Sequence, residues 1–160
     1  MEVFVTNEDE WYKAAYYETG AMIYLDYPAG SDTQMTCTVP GAAANTANCG
    51  DAVGDLTDVG SYTAAASPGG TFDQGGNLFE WNEAIFGGSY RGLRGGYYYS
   101  FPSSLAASLQ LYDLPTFEEY GVGFRVASPV PAPAVPSLSP IGLLVVAAGL
   151  LGFGALRPAH

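Results

Sequence analysis

Gly70-Thr71-Phe72-Asp73-Gln74-Gly75-Gly76-Asn77-Leu78-Phe79-Glu80-Trp81, followed by Arg91-Gly92-Leu93-Arg94-Gly95-Gly96, decides the reading of this chain. A glycine turn, an asparagine, an aromatic-Glu-Trp triplet and an Arg-Gly-Gly follow one another in a single short stretch. Glycine at this density marks tight turns, and the runs between the turns are short and aromatic. Leu78 to Trp81 and Arg91 to Tyr99 are therefore expected as short strands. Val59 to Tyr62 and Gly123 to Ala127 have the same character.

Upstream, residues 7–17 are expected as a helix. Asn7 can cap it and Glu10 stands three positions on as a capping-box partner, while Glu8 and Asp9 suit its positive end. Trp11, Ala14 and Ala15 fall on one face. Tyr24 to Tyr27 is a short apolar segment ended by Pro28 and Gly30. Residues 29–58 are small and polar, which predicts a long ordered loop or an irregular stretch.

The chain of 160 residues has room for one domain and an appendage. Sixteen Asp and Glu against five Lys and Arg give a formal charge of −11. No basic patch exists to neutralise phosphates, so nucleic acid is excluded as an expected partner. Twenty-one glycines and twelve tyrosines suit a loop-rich fold better than a helical bundle. Cys37 and Cys49 can close a loop in an oxidising compartment, or stand as two unpaired thiols in loops. The lone histidine is His160, the last residue, so Ser-His-Asp, Cys-His and His-zinc chemistry are not expected in the folded part.

At Ser128 the composition changes. Residues 129–140 read as a proline-rich linker. Ile141 to Leu156 is an uncharged run of sixteen residues with four glycines. As a helix it would extend roughly 24 Å, against a bilayer core of about 30 Å. A buried core helix is the alternative, but the linker and the chain end leave it nothing to pack on, so residues 141–160 are expected as a membrane-directed tail. Val135-Pro136-Ser137-Leu138-Ser139-Pro140 and the run after it resemble C-terminal sorting signals of the exosortase (PEP-CTERM-like) type, with Arg157 where a basic cluster is usual. That resemblance implies export to a bacterial cell envelope, insertion into the membrane and a sorting protease as partner. Met1 opens without a signal peptide, which is read as an N-terminally shortened gene product.

Residues 4–128 resemble the formylglycine-generating enzyme (sulfatase-modifying factor) family. Asn7-Glu8-Asp9-Glu10-Trp11-Tyr12-Lys13-Ala14-Ala15 looks like the family's Thr-Glu-x-Glu-Trp-x-x-Ala-Ala helix. Tyr27-Pro28-Ala29-Gly30 stands where the family has a Tyr-Pro-Trp-Gly-like turn. Gly76-Asn77-Leu78-Phe79-Glu80-Trp81 is similar to Gly-Asn-Val-Trp-Glu-Trp, and Arg94-Gly95-Gly96 and Gly123-Phe124-Arg125 are similar to the two closing motifs. The resemblance implies an irregular α+β fold related to C-type lectins, of low regular secondary structure, with residues 1–128 its partial domain. A hydrophobic C-terminal helix is expected to follow.

The same resemblance implies calcium, which takes about six to eight oxygens from carboxylates and carbonyls. One candidate site falls on Asp73, Glu80 and the carbonyls of Gly76 and Leu78; the alternative is that Glu80 only bonds backbone amides. A second falls on Asn48 and Asp51, or is an ordinary polar turn. The family's oxidase members bind copper through two cysteines after the Gly-Gly, and thiolates suit Cu(I) because it is soft. Here those positions are Ser100 and Leu105, so copper is not expected, and Ala106 and Gln110 replace arginines common in the family. Glu8/Glu10 read as helix-start charges and Glu118/Glu119 as a solvated loop, more readily than as catalytic pairs. Tyr97-Tyr98-Tyr99 reads as a strand with one ring in the core, or as part of a ligand groove. No catalytic residue is assigned. The expected role is binding or structural, with a surface polymer or a protein as ligand. The alternatives are an oxidoreductase of the same family acting on a protein or small molecule, and a fragment too short to fold stably.

Overall fold

The computed structural model describes residues 2–129. The expected membrane segment Ile141 to Leu156, and the linker beyond Pro129, lie outside the described residues. Among the described residues no helix is long and apolar enough to cross a membrane.

One helix, α1 (Glu8–Tyr16), opens as the sequence predicts: the Asn7 side chain accepts the amide of Glu10, and the Glu10 carboxylate accepts the amide of Asn7, both at 2.9 Å. Its inward face is Trp11, Ala15 and Tyr16, each fully buried, and this face packs against Ala107. Burial pushes the Tyr16 phenol well above its usual pKa; the positive charge of Arg94 opposes that only in part. A second apolar cluster joins Met35, Ala47, Cys49 and Leu105.

The remaining elements are a 3-10 turn, Pro102–Leu105, and a set of mostly short strands. β1 (Phe4–Val5) precedes the helix and β2 (Tyr17–Glu18) follows it, pairing with β3 (Ile23–Tyr24). β4 (Thr36–Cys37) and β5 (Thr46–Ala47) form a parallel pair inside the expected irregular stretch. That stretch is further tied by a disulfide between Cys37 and Cys49. β6 (Phe79–Phe86), β7 (Tyr90–Arg94), β8 (Leu111–Asp113) and β9 (Val122–Phe124) make the one larger sheet, in the order β8-β7-β6-β9. β6 and β7 are an antiparallel hairpin with a bulge between Asn82 and Ile85, while β9 runs parallel to β6. β10 (Val126–Ala127) leaves that sheet and pairs with β1.

Three strand expectations need correction. Val59 and Gly60 form a turn and Tyr62 keeps only an isolated bridge to Gly41, because Asp73 Oδ2 accepts the Gly60 amide at 2.6 Å and so takes a donor that a strand ladder would use. Arg91 to Tyr99 stops at Arg94, since Gly95 and Gly96 adopt φ +89° and +73° and no strand continues through left-handed backbone. The three tyrosines beyond therefore sit in a turn, and none of them is fully buried. Gly123 to Ala127 is two strands, interrupted where Arg125 turns aside to meet Glu80.

Candidate functional site

Asn77 sits at the centre of the loops that the glycine-rich stretch creates. Its amide donates to the Asn48 carbonyl at 2.8 Å, and its own carbonyl accepts the Tyr98 amide at 3.0 Å. Its side-chain oxygen accepts from Asn48 Nδ2, Thr57 N and Thr57 Oγ1, and its Nδ2 donates to the Thr57 carbonyl. The preceding Gly76 donates to Gly95 at 2.8 Å. A Cβ on Gly76 would collide with the Asn48 carbonyl oxygen, and its φ of +79° disfavours a side chain as well. Glycine and asparagine are adjacent here because one permits the close approach and the other bonds across it.

Glu80 follows three residues later, at the start of β6. Arg125 grips its carboxylate with two donors, Nε to Oε2 at 2.5 Å and Nη2 to Oε1 at 2.6 Å. Trp11 Nε1 adds a third bond to Oε2 at 2.6 Å. The carboxylate is thus neutralised by a guanidinium, the strongest geometry open to such a pair. Asp73, Leu78, Glu80 and Arg125 line one cavity of about 170 Å³. Gly76 is set apart from it, buried, with its carbonyl accepting the Leu78 amide at 2.8 Å.

As arranged, this donor set does not fit a calcium ion at Asp73, Gly76, Leu78 and Glu80. Glu80 already has a cation, and a second positive charge beside Arg125 would be repelled. Among the described residues no group of three or more His, Cys, Asp or Glu gathers to hold a metal. The Asn48 loop differs. Asn48 is buried, and its Nδ2 donates to the Asp55 carbonyl at 2.9 Å as well as to Asn77, yet its Oδ1 has no partner. Asp51, exposed and at φ +59°, stands on the next turn.

Ser100 and Leu105 come together on one glycine. A Cβ placed on Gly96 would lie 2.9 Å from Leu105 Cδ1 and 3.4 Å from Ser100 Cβ. Both residues have structural partners. Ser100 Oγ accepts the Tyr97 amide at 3.1 Å and its carbonyl accepts the Gly50 amide at 2.8 Å, which docks this turn on the disulfide loop. Leu105 is fully buried in the Met35, Ala47 and Cys49 cluster.

Two features have no local sequence signal. Glu8, read as a helix-start charge, also pairs with Arg94, 86 positions away; Nε donates to Oε1 at 2.9 Å and Nη2 to the same oxygen. Asn82 bonds its other oxygen at 2.7 Å. Arg94 also donates to the carbonyls of Ala107 and Leu109. Glu119, read as a solvated loop residue, lines an aromatic groove with Tyr97 and Tyr112.

Few helices, short paired strands and motif-bearing loops held by partly buried ion pairs define a fold of the sulfatase-modifying-factor class. Residues 5–130 match the sulfatase-modifying factor enzyme 1-like domain, and the chain belongs to that family. Two of the solved structures that share the fold illustrate it. Treponema denticola variable protein 1 aligns at 22% identity and a TM-score of 0.55, over 78% of this chain and 46% of its own. The crystal structure of CarF aligns at 22% identity and a TM-score of 0.58, over 80% and 47%. The chain thus spans about half the length of each. No curated protein matches it.

Removing Arg125 tests the Glu80 assignment. Arg125→Met, which leaves Glu80 partly buried with Trp11 alone, is expected to cost about 3 kcal/mol in urea unfolding at pH 7. The double variant Glu80→Gln/Arg125→Met should lose less than the two single losses added together. Strict additivity would mean that the pair does not act as a unit.

Proposed function

We propose that this chain is a binding or structural member of the sulfatase-modifying-factor family, displayed at the cell envelope and without copper-dependent oxidase chemistry. The use of positions 100 and 105 carries this reading. A hydroxyl is too hard and too weakly acidic to replace a thiolate on Cu(I), and leucine has no donor atom. Leu105 also fills the core, so a metal there would have to displace packed apolar atoms. The two cysteines of the chain are bonded to each other, which removes them as thiolate ligands. The rival reading, an oxidoreductase acting on a protein or small molecule, makes a direct demand. Titration of Cu(I) against a competing chelator should give no stoichiometric uptake, and oxygen should not be consumed with a cysteine-containing peptide. Uptake with peptide-dependent oxygen consumption would restore the oxidase.

The disulfide, the acidic surface and the sorting-type tail together support export, because disulfides persist in oxidising compartments. The membrane and a sorting protease are then partners of the tail, and the domain is left to meet an extracellular ligand. Expressed in a bacterial host, the full chain should fractionate with membranes while a chain ending at Ser128 should not. Identical distributions would sink the tail's assigned role.

Calcium is a second component of this proposal, placed at Asn48 and Asp51. A buried amide oxygen without a donor costs about 1–3 kcal/mol, and a hard cation is one of the few partners that can restore it. Calcium would take Asn48 Oδ1, the Asp51 carboxylate and nearby carbonyls, and would hold the 48–58 loop closed. Calcium at about ten times its Kd should raise the melting temperature by roughly 3–6 °C, and Asp51→Asn should abolish the shift. An unchanged melt at millimolar calcium counts against the site, and a shift that needs Asp73 in place of Asp51 would move the ion to the other cavity.

A further inference from the structure

A groove of about 360 Å³ opens against β7 and β8, lined in part by the 117–122 segment. Pockets that hold small molecules run from about 300 to 1,000 Å³, so this one sits at the small end. Buried Leu93 lines it, together with Phe79 and Tyr97, whose rings stack at 5.4 Å and 24°. Tyr112, Phe117 and Tyr120 also line it, and they are 57%, 38% and 68% exposed. Comparable exposure occurs elsewhere, at Tyr99, Phe101 and Phe124, but here three such rings share one concavity, and contiguous apolar surface of that kind marks a binding site.

The charge is one-sided. Asp113 and Glu119 line the groove and no Lys, Arg or His does. Asp113 Oδ1 accepts the Leu114 amide at 2.7 Å. Arg91 stands opposite Asp113 in the β7–β8 ladder but forms no ion pair with it, and lines a separate recess with Trp81 and Pro115. The two ion pairs among the described residues lie elsewhere, at Glu8 and Glu80. The chain as a whole carries −11, so an anion would be repelled before it arrived.

We propose that this groove binds a small organic cation with an apolar body, of the alkylammonium or arylammonium class. Ring faces carry negative potential and attract a cation within about 6 Å of the centroid. Tyr112, stacked on Phe86 on one side, lines the groove with Phe117 and Tyr120 and brings such rings to it, Asp113 and Glu119 supply net charge, and Leu93 with the stacked pair accepts the apolar body. A neutral sugar would find stacking surfaces but carboxylates in place of a balanced set of donors and acceptors. The inference rests on the binding reading proposed above and names the ligand class for it. Neither Ser100 nor Leu105 lines the groove, so the copper result and the groove result can fail separately.

The probe pair is 2-phenylethylammonium and 2-phenylethanol, alike in size and differing in charge, titrated into the full chain by calorimetry. The cation is expected to bind with a Kd of about 1 mM, in keeping with so few heavy atoms, and about tenfold more tightly than the alcohol. Glu119→Gln and Asp113→Asn should each reduce that preference severalfold without lowering the melting temperature, and added salt should weaken only the cation. Tyr112→Ala should weaken both probes. Equal binding of the two probes, or a preference untouched by both carboxylate variants, overturns the proposal. So does the absence of saturation by the cation. If a neutral oligosaccharide saturates a Tyr112-dependent site while the ammonium does not, the cation class falls and the binding reading stands.

Discussion

The asparagine at position 77 is the constraint on which the loops of this fold depend. Irregular loops cannot hide their backbone polar groups in a ladder, so each group must find a partner or remain in water. Asn77 answers for three segments at once: the 48–58 loop through Asn48 and Thr57, the post-glycine turn through Tyr98, and its own strand through the chain that continues into Glu80. Gly76 makes that possible by lacking the atom that would strike Asn48. With the loops fixed there, the disulfide and the Met35–Leu105 cluster close against the same place. Little regular structure is needed, because side chains supply bonds that longer ladders would otherwise provide.

Two partly buried ion pairs perform the corresponding task for the helix and the sheet. Glu8 and Arg94 join the first turn of α1 to the end of β7, with Tyr12 over the guanidinium at 5.3 Å. Glu80 and Arg125 join β6 to the junction of β9 and β10, with Trp11 as the common neighbour. Of the four basic side chains among the described residues, two are thus engaged inside the fold. Each pairing removes one charge of either sign, so the net acidity of the exterior is that of the composition.

The local signals were legible in the sequence and the distant ones were not. The Asn7/Glu10 capping box lies within four residues, so its pattern is complete wherever it is read. The glycine turns beside β6 and β7 and the irregular character of 29–58 are equally local, but the run read as Leu78 to Trp81 continues to Phe86 and turns there into β7. Strand lengths were overestimated where a side chain or a left-handed glycine intervened: Asp73 takes the Gly60 amide, and Gly95 bends the chain away before the three tyrosines. The partners of Glu8 and Glu80 could not be read, because a carboxylate at a helix start, or beside a tryptophan, looks the same whether an arginine or water faces it. The groove was legible only at Tyr97, one of the three tyrosines whose alternative reading was part of a ligand groove. Its walls come from positions 79, 93, 97, 111–113, 117 and 119–122, and only the fold brings them to one place.

The pairing of β1 with β10 has a mechanical consequence. The ladder is antiparallel and two residues deep, with Ala127 opposite Phe4 and Val126 opposite Val5. Tension applied through the chain beyond Pro129 would meet the Ala127–Phe4 end first and open the ladder one rung at a time, the weakest direction for a strand pair. The next contact in line is Arg125 on Glu80, where two charge-assisted bonds would have to break together. A domain tethered by its C-terminus would therefore yield in stages: a short peel at the edge, then a firm stop that shields the β6 strand and the loops behind it.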